Sequence, residues 1–328
     1  MLNKKKILFY LRLCLGLALI AFVLTKINPN AFITLWRSLN LNYLIFAFFI
    51  SIFDRVIVTY RWKILLESKG VNFPLFILLE ISLVGQFIGR FLPSSLAPDA
   101  IKIYSLSKHI PNRTESLSSV IVDRFAGFLA LLIMALCAIE IFSNFYYDSS
   151  PAILNLELIL ILLFLTSCFV ILGNKVIHKI FLSFKFLNKY HWGKIILEFY
   201  ESIYNYREHK MVFLKTLIIS FFVQVFRSIF VYIVSLALNL DVSIIYFFIF
   251  IPAITIILML PITLGGIGVA EMAYIYFFSH AGLSVDAALS LSMLCRILSI
   301  LVTLPGGVIY ALKGITVIGN DTIKEKPA

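Results

Sequence analysis

The polar residues of this chain gather into short clusters, and the apolar runs between them come in two lengths. Six runs, at about 7–27, 43–66, 117–142, 153–172, 211–238 and 285–304, have the roughly 20 residues a helix needs to cross a bilayer. Two shorter segments, 73–92 and 246–260, end in helix breakers, and each is followed by a short helix, at 99–108 and 269–278. The pattern predicts an all-α polytopic integral membrane protein with about six full spans plus two broken, re-entrant helical hairpins. A short loop carrying Trp36 and Arg37 is expected after the first span. Pro305-Gly306-Gly307 is expected to interrupt the path after the last one.

The second breaker stretch runs from Leu260 and Pro261 through Gly265, Gly266 and Gly268 to Glu271. Proline removes a backbone donor and breaks a helix. Glycine permits positive φ and close backbone approach. Irregular backbone at membrane depth persists only where it is packed in protein or lines a wet cavity. An ionisable group there points to function. The plainer alternative is a loop at the membrane surface. The first breaker stretch, Phe91-Leu92-Pro93-Ser94-Ser95-Leu96-Ala97-Pro98-Asp99, repeats the pattern: Leu-Pro, a hydroxyl residue two positions on, a second breaker, then an acid.

Aligning Asp99 with Glu271 gives an offset of 271 − 99 = 172. At that offset Tyr104 falls on Tyr276, Arg124 on Arg296, Arg55 on Arg227 and Tyr60 on Tyr232. Charged positions in register inside apolar segments predict a duplication, with repeat halves at about 43–143 and 211–304, within a single domain covering 1–328.

Composition agrees with the spans. The chain has 328 residues, 61% of them hydrophobic and 14% charged, and a mean hydropathy of +0.99. No soluble globular domain has this balance. The four cysteines, Cys14, Cys137, Cys168 and Cys295, are scattered through apolar runs without metal-ligand spacing, so no metal or other cofactor is expected. The first run follows Lys4-Lys5-Lys6 and has no small-residue cleavage site, so it reads as a retained span.

The net charge of +11 changes the picture through its distribution. Of the 28 Lys and Arg, Lys26 and Arg37 fall on one side. Five arginines (Arg55, Arg90, Arg124, Arg227, Arg296) lie within apolar segments, which leaves 28 − 2 − 5 = 21 on the other side. That asymmetry predicts a cell membrane protein with both termini cytoplasmic, and it argues against a nucleic-acid partner. It also makes the two repeats inverted. The stretch 175–210 holds seven Lys and Arg interleaved with Phe181, Phe184, Phe186, Trp192, Phe199 and Tyr200. It predicts a cytoplasmic amphipathic connector on the membrane surface.

A buried arginine needs a partner, because it stays charged. Four arginines set against Asp54, Asp99, Asp123 and Glu271 would make a closed structural network. Alternatively, spare positive charge would bind an anion, since guanidinium forks suit phosphate oxygens. On that reading Arg55, Asp99, Arg124, Arg227, Glu271 and Arg296 bind substrate. The breaks Pro93, Ser95, Pro98, Pro261, Gly265, Gly266 and Gly268 act as hinges or gates. Enzyme signals are weak: the five histidines are not paired at ligand spacing, and neither a Walker loop nor a Gly-x-Ser-x-Gly elbow is present.

Several stretches together carry a family resemblance: Gly85-Gln86-Phe87-Ile88-Gly89-Arg90-Phe91-Leu92-Pro93, then Val120-Ile121-Val122-Asp123-Arg124-Phe125-Ala126-Gly127, then Leu260 through Glu271, then Leu304-Pro305-Gly306-Gly307. They resemble the flippase-like transmembrane region of lysylphosphatidylglycerol synthases, in a free-standing form without the soluble aminoacyl-transferase domain. The resemblance covers nearly the whole chain. It implies movement of a phospholipid or lipid-linked group between leaflets, without enzymatic activity of its own. It departs at Ala97-Pro98, where the family has glycines before the first acid, and at Ala270, where the family often has arginine; both bear on the aminoacyl-phospholipid substrate. The reading is a flippase for an anionic phospholipid or a polyprenyl-phosphate-linked group, with membrane lipids and a soluble or membrane synthase as partners. The rival readings are a membrane-embedded transferase using Asp99 or Glu271 as base, and a membrane scaffold acting through 175–210.

Overall fold

A computed structural model describes residues 28–90, 96–110, 113–145, 209–260 and 262–314, with isolated positions elsewhere. Its described residues form nine α-helices and no strand: α1 (Pro29–Arg37), α2 (Leu41–Glu67), α3 (Leu75–Gly89), α4 (Ala97–Ser107), α5 (Arg113–Phe145), α6 (Lys210–Ala237), α7 (Ile244–Met259), α8 (Val269–Ser279) and α9 (Val285–Lys313). A 3₁₀ turn, Leu264–Gly266, lies between α7 and α8. Four helices, α2, α5, α6 and α9, are long and apolar enough to cross a membrane. They are the spans expected at 43–66, 117–142, 211–238 and 285–304. The spans expected at 7–27 and 153–172, and nearly all of the connector at 175–210, lie outside the described residues.

Helix lengths recur along the chain. Helices α2 to α5 have 27, 15, 11 and 33 residues, and α6 to α9 have 28, 16, 11 and 29. Their starts at 41, 75, 97 and 113 recur at 210, 244, 269 and 285, displaced by 169, 169, 172 and 172. The break between the short helices absorbs the change of offset.

Two local expectations are corrected. The stretch with Trp36 and Arg37 is helix α1, not a loop. The Asn28 side chain accepts hydrogen bonds from the backbone N–H groups of Asn30 and Ala31, and Pro29 occupies the first turn, where its missing donor costs nothing. The Asn28 N–H in turn donates to Asp286 Oδ1 at 2.8 Å, tying α1 to the first turn of α9. Replacing Asn28 by alanine removes the cap and should lower stability by about 1 kcal/mol, measured by unfolding in mixed micelles.

The second correction is at Pro305. Helix α9, 29 residues long, runs through it to Lys313 and is capped by Gly314, whose φ is 72°. The proline is tolerated because its neighbours fix the helix by packing. A Cβ at Gly306 would land on the Leu83 carbonyl, and one at Gly307 would meet the Phe87 ring at 2.6 Å. The two glycines let α9 lie directly against α3, as small residues do where helices pack in a bilayer.

The chain divides into two compact units, one made of residues 1–56, 76–105 and 225–328 and the other of 57–75 and 106–224. In the first, buried small residues (Ala273, Ala287, Ala288) sit with Phe247, Phe250 and Phe278 in one core. Phe278 stacks on Tyr274 at 5.7 Å and meets Phe250 edge-on at 5.4 Å. Such pairs contribute about 0.5–1.5 kcal/mol each beyond area. Helix α4 returns against α3 with Pro98 seated where Gly85 and Gly89 leave room; a Cβ at Gly85 would be 2.8 Å from the Pro98 carbonyl oxygen.

In the second unit, Leu65, Val122, Phe125, Leu129 and Tyr206 form the core. Arg61 is buried there: its Nε donates to Asp123 Oδ1 at 2.6 Å and its Nη1 to Ser220 Oγ at 2.7 Å. The Tyr206 hydroxyl donates to the Leu65 carbonyl at 3.1 Å. Burial pushes its phenol up, so it remains a donor at any physiological pH.

Candidate functional site

The first unit contains an open cavity of about 490 Å³. Its wall takes residues from six helices and from the glycine break: Arg55 on α2, Gly89 and Arg90 where α3 ends, Pro98 on α4, Leu258 on α7, Thr263, Gly265 and Gly266 in the break, Tyr274 on α8, and Cys295, Arg296 and Ser299 on α9. A second, smaller space of about 180 Å³ shares Arg55, Tyr274 and Ser299 with it and adds Asp54 and Arg227.

Sequence dictates the shape of the break. Gly265, Gly266 and Gly268 have φ of 59°, 71° and 84°, a region that side chains with a Cβ rarely occupy. The turn is then clamped. Glu271 Oε2 accepts the Gly268 N–H at 2.7 Å, and Oε1 accepts Arg296 Nε at 3.0 Å and Nη2 at 2.7 Å. Arg296 also donates to the Gly265 and Gly266 carbonyls at 3.4 and 3.3 Å. Glu271 and Arg296 therefore satisfy each other and the backbone between them.

The remaining arginines are less completely matched by acids. Arg227 Nε donates to Asp54 Oδ1 at 3.1 Å, and Arg55 Nη1 lies 3.9 Å from Asp54 Oδ2, so one carboxylate serves two guanidinium groups. Arg90 bonds only neutral oxygens: Thr303 Oγ1 at 3.0 Å, and the Ser299 carbonyl and hydroxyl at 2.6 and 2.7 Å. It also feels the like charges of Arg55 and Arg296. Among the described residues, Arg55, Arg90, Arg227 and Arg296 stand around the two spaces against Asp54 and Glu271, a surplus of two positive charges. Thr263, 8% exposed and on the cavity wall, has no hydrogen-bond partner for its hydroxyl.

Four residues expected to bind substrate, Arg55, Arg227, Glu271 and Arg296, are thus gathered in one unit. Asp99 sits half-buried in the first turn of α4, next to Pro98 but off the cavity wall. Arg124 belongs to the other unit, exposed on α5 beside the buried Asp123. Of the expected hinges, Pro98, Gly265 and Gly266 line the cavity, Gly268 begins α8, and Pro93, Ser95 and Pro261 lie outside the described residues. Arg90 was not among the expected binding residues. Its signal was present: it is the one charged residue between Glu80 and the break.

The sequence pattern of the lysylphosphatidylglycerol synthase TM region matches residues 9–307. The chain belongs to that family. The lysylphosphatidylglycerol synthase TM region therefore contains every residue of the cavity wall, while Lys313 falls beyond the matched stretch. Archaeal relatives are similar along most of their length. A UPF0104 membrane protein of Methanothermobacter thermautotrophicus is 24% identical over 303 residues, covering 87% of this chain and 89% of the relative. One from Methanocaldococcus jannaschii is 29% identical over 321 residues, covering 91% of each chain. One from Pyrococcus horikoshii is 21% identical over 320 residues, covering 92% of this chain and 96% of the relative. Family membership and the four long apolar helices agree that this is a multi-pass membrane protein.

Proposed function

We propose that the protein is a lipid transporter. It takes the anionic phosphate headgroup of a phospholipid or lipid-linked group into the Arg55–Arg90–Arg296 cavity and passes it between leaflets. The carrying observation is Arg90, a guanidinium on the cavity wall bonded only to neutral oxygens. A half-buried charge without an opposite charge nearby is unfavourable, and a phosphate would supply one. The substrate leaves chemically unchanged, so no enzymatic activity is assigned. The transferase reading is weaker because, of its two candidate bases, Glu271 has both oxygens engaged and Asp99 lies off the cavity wall.

The recurring helix lengths support an internal duplication, and the lysine and arginine asymmetry supports its inversion in the membrane. The same asymmetry favours a cell membrane location with both termini cytoplasmic. A synthase that makes the lipid is the natural partner.

In proteoliposomes holding labelled phospholipid, Arg90→Gln should slow leaflet exchange by about tenfold, equivalent to about 1.4 kcal/mol of headgroup stabilisation. Asn28→Ala, remote from the cavity, should leave the rate unchanged. Equal rates for wild type and Arg90→Gln would reject this site.

A further inference from the structure

We infer that the cavity selects a headgroup bearing two negative charges, a terminal phosphomonoester or a diphosphate, over a singly charged phosphodiester. The inference rests on the transport reading above and specifies the substrate class of the same site.

Charge is the first ground. The surplus around the two spaces is two, after Asp54 is shared between Arg55 and Arg227 and Glu271 is matched to Arg296. The neighbouring helix α4 adds one charge of each sign, Asp99 and Lys102, and leaves the balance where it was. A phosphodiester neutralises half of that surplus; a phosphomonoester above its second pKa, or a diphosphate, neutralises all of it. A lysylated phosphatidylglycerol headgroup carries two ammonium groups against one phosphate, so it adds to the surplus.

The second ground is the pattern of donors. Arg90 presents its charge with no acid in its shell, and the buried Thr263 hydroxyl lacks a partner on the same wall. A phosphate with free terminal oxygens accepts from both, and a phosphodiester has fewer oxygens to offer. The third is room. At about 30 Å³ per water, 490 Å³ holds roughly sixteen water volumes, enough for a diphosphate or a substituted phosphate with solvent.

The same chemistry belongs to a lipid headgroup and to a soluble phosphate ester, and the test separates them. The purified full chain is melted in detergent at about pH 8, above the second phosphate pKa of about 6. Three probes are titrated: dioleoyl phosphatidic acid, dioleoyl phosphatidylglycerol and glycerol 3-phosphate. Ligands of the folded state raise the melting temperature by mass action. Phosphatidic acid should half-saturate at a concentration about tenfold below phosphatidylglycerol, since one further unit charge acts at low effective dielectric. Arg90→Gln should collapse that ratio and Arg90→Lys should keep it.

Equal half-saturation by the two lipids, both abolished by Arg90→Gln, overturns the two-charge selection and leaves the headgroup site standing. No response to any probe overturns both. Glycerol 3-phosphate acting as strongly as phosphatidic acid supports the two-charge selection and removes the lipid from the reading.

Discussion

Glu271→Ala should destabilise the protein by about 3–5 kcal/mol, the range for removing one partner of a buried ion pair. Glu271 is 7% exposed, and its two oxygens accept from Gly268 N–H and from two nitrogens of Arg296. Without it, Arg296 is left with two long contacts to glycine carbonyls, at 3.4 and 3.3 Å, and with Arg55 and Arg90 on the same wall. The break then loses the acid that fixes the start of α8. Glu271→Gln keeps an acceptor and should lose about 1–3 kcal/mol. Pairing Glu271→Ala with Arg296→Met removes the orphaned charge, so the double variant should lose less than the two single losses combined. Equilibrium unfolding in mixed micelles measures all four proteins. A Glu271→Ala variant within about 0.5 kcal/mol of wild type would mean that the ion pair does not hold the break.

Gly306→Val should cost about 3 kcal/mol, the upper end for overpacking, because the obstacle is backbone. The added Cβ meets the Leu83 carbonyl and, at 2.9 Å, the Val84 nitrogen, and neither moves without shifting α3. The control is Gly314→Ala at the end of the same helix. Nothing lies within 4 Å of its Cβ position, and only the φ of 72° resists the change. That should cost about 1–2 kcal/mol. Comparable losses at the two glycines would show that α9 does not depend on its close approach to α3.

Much of the fold was legible because it is written locally. Apolar length marked α2, α5, α6 and α9, and proline and glycine marked both breaks. Helix α1 was misread as a loop although Asn28-Pro29 is a capping signal, since a nine-residue helix after a long span has no length signature of its own. Pro305 was misread as an interruption because tolerance of an interior proline depends on packing against α3, where Leu83 lies 306 − 83 = 223 positions from Gly306.

The site was legible in its residue types and less so in its partners. Asp123 and Arg124 are adjacent in sequence, and successive helix positions point about 100° apart. Their order does not say which faces inward. The structure buries Asp123 with Arg61 and leaves Arg124 exposed. The partners of Arg61, Asp123 and Ser220, lie 62 and 159 positions away, beyond the reach of any local pattern. Glu271 and Arg296 read as ligands for a substrate. Only the hydrogen bonds reveal that they hold the turn, and that Arg90 is the guanidinium bonded to neutral oxygens alone.

Helix α3 is fastened to α9 from Glu80 to its end. Glu80 takes the Lys313 ammonium on both oxygens, at 2.9 and 3.0 Å; Gly306 and Gly307 admit Leu83 and Phe87; and Arg90 holds Ser299 and Thr303. From Glu80 to Arg90 these ties extend over ten residues, roughly 15 Å at 1.5 Å per residue. Such a pair can only travel as one strut. Arg90 at the end of α3 and Arg296 on α9 therefore keep their spacing on the cavity wall whatever the other helices do.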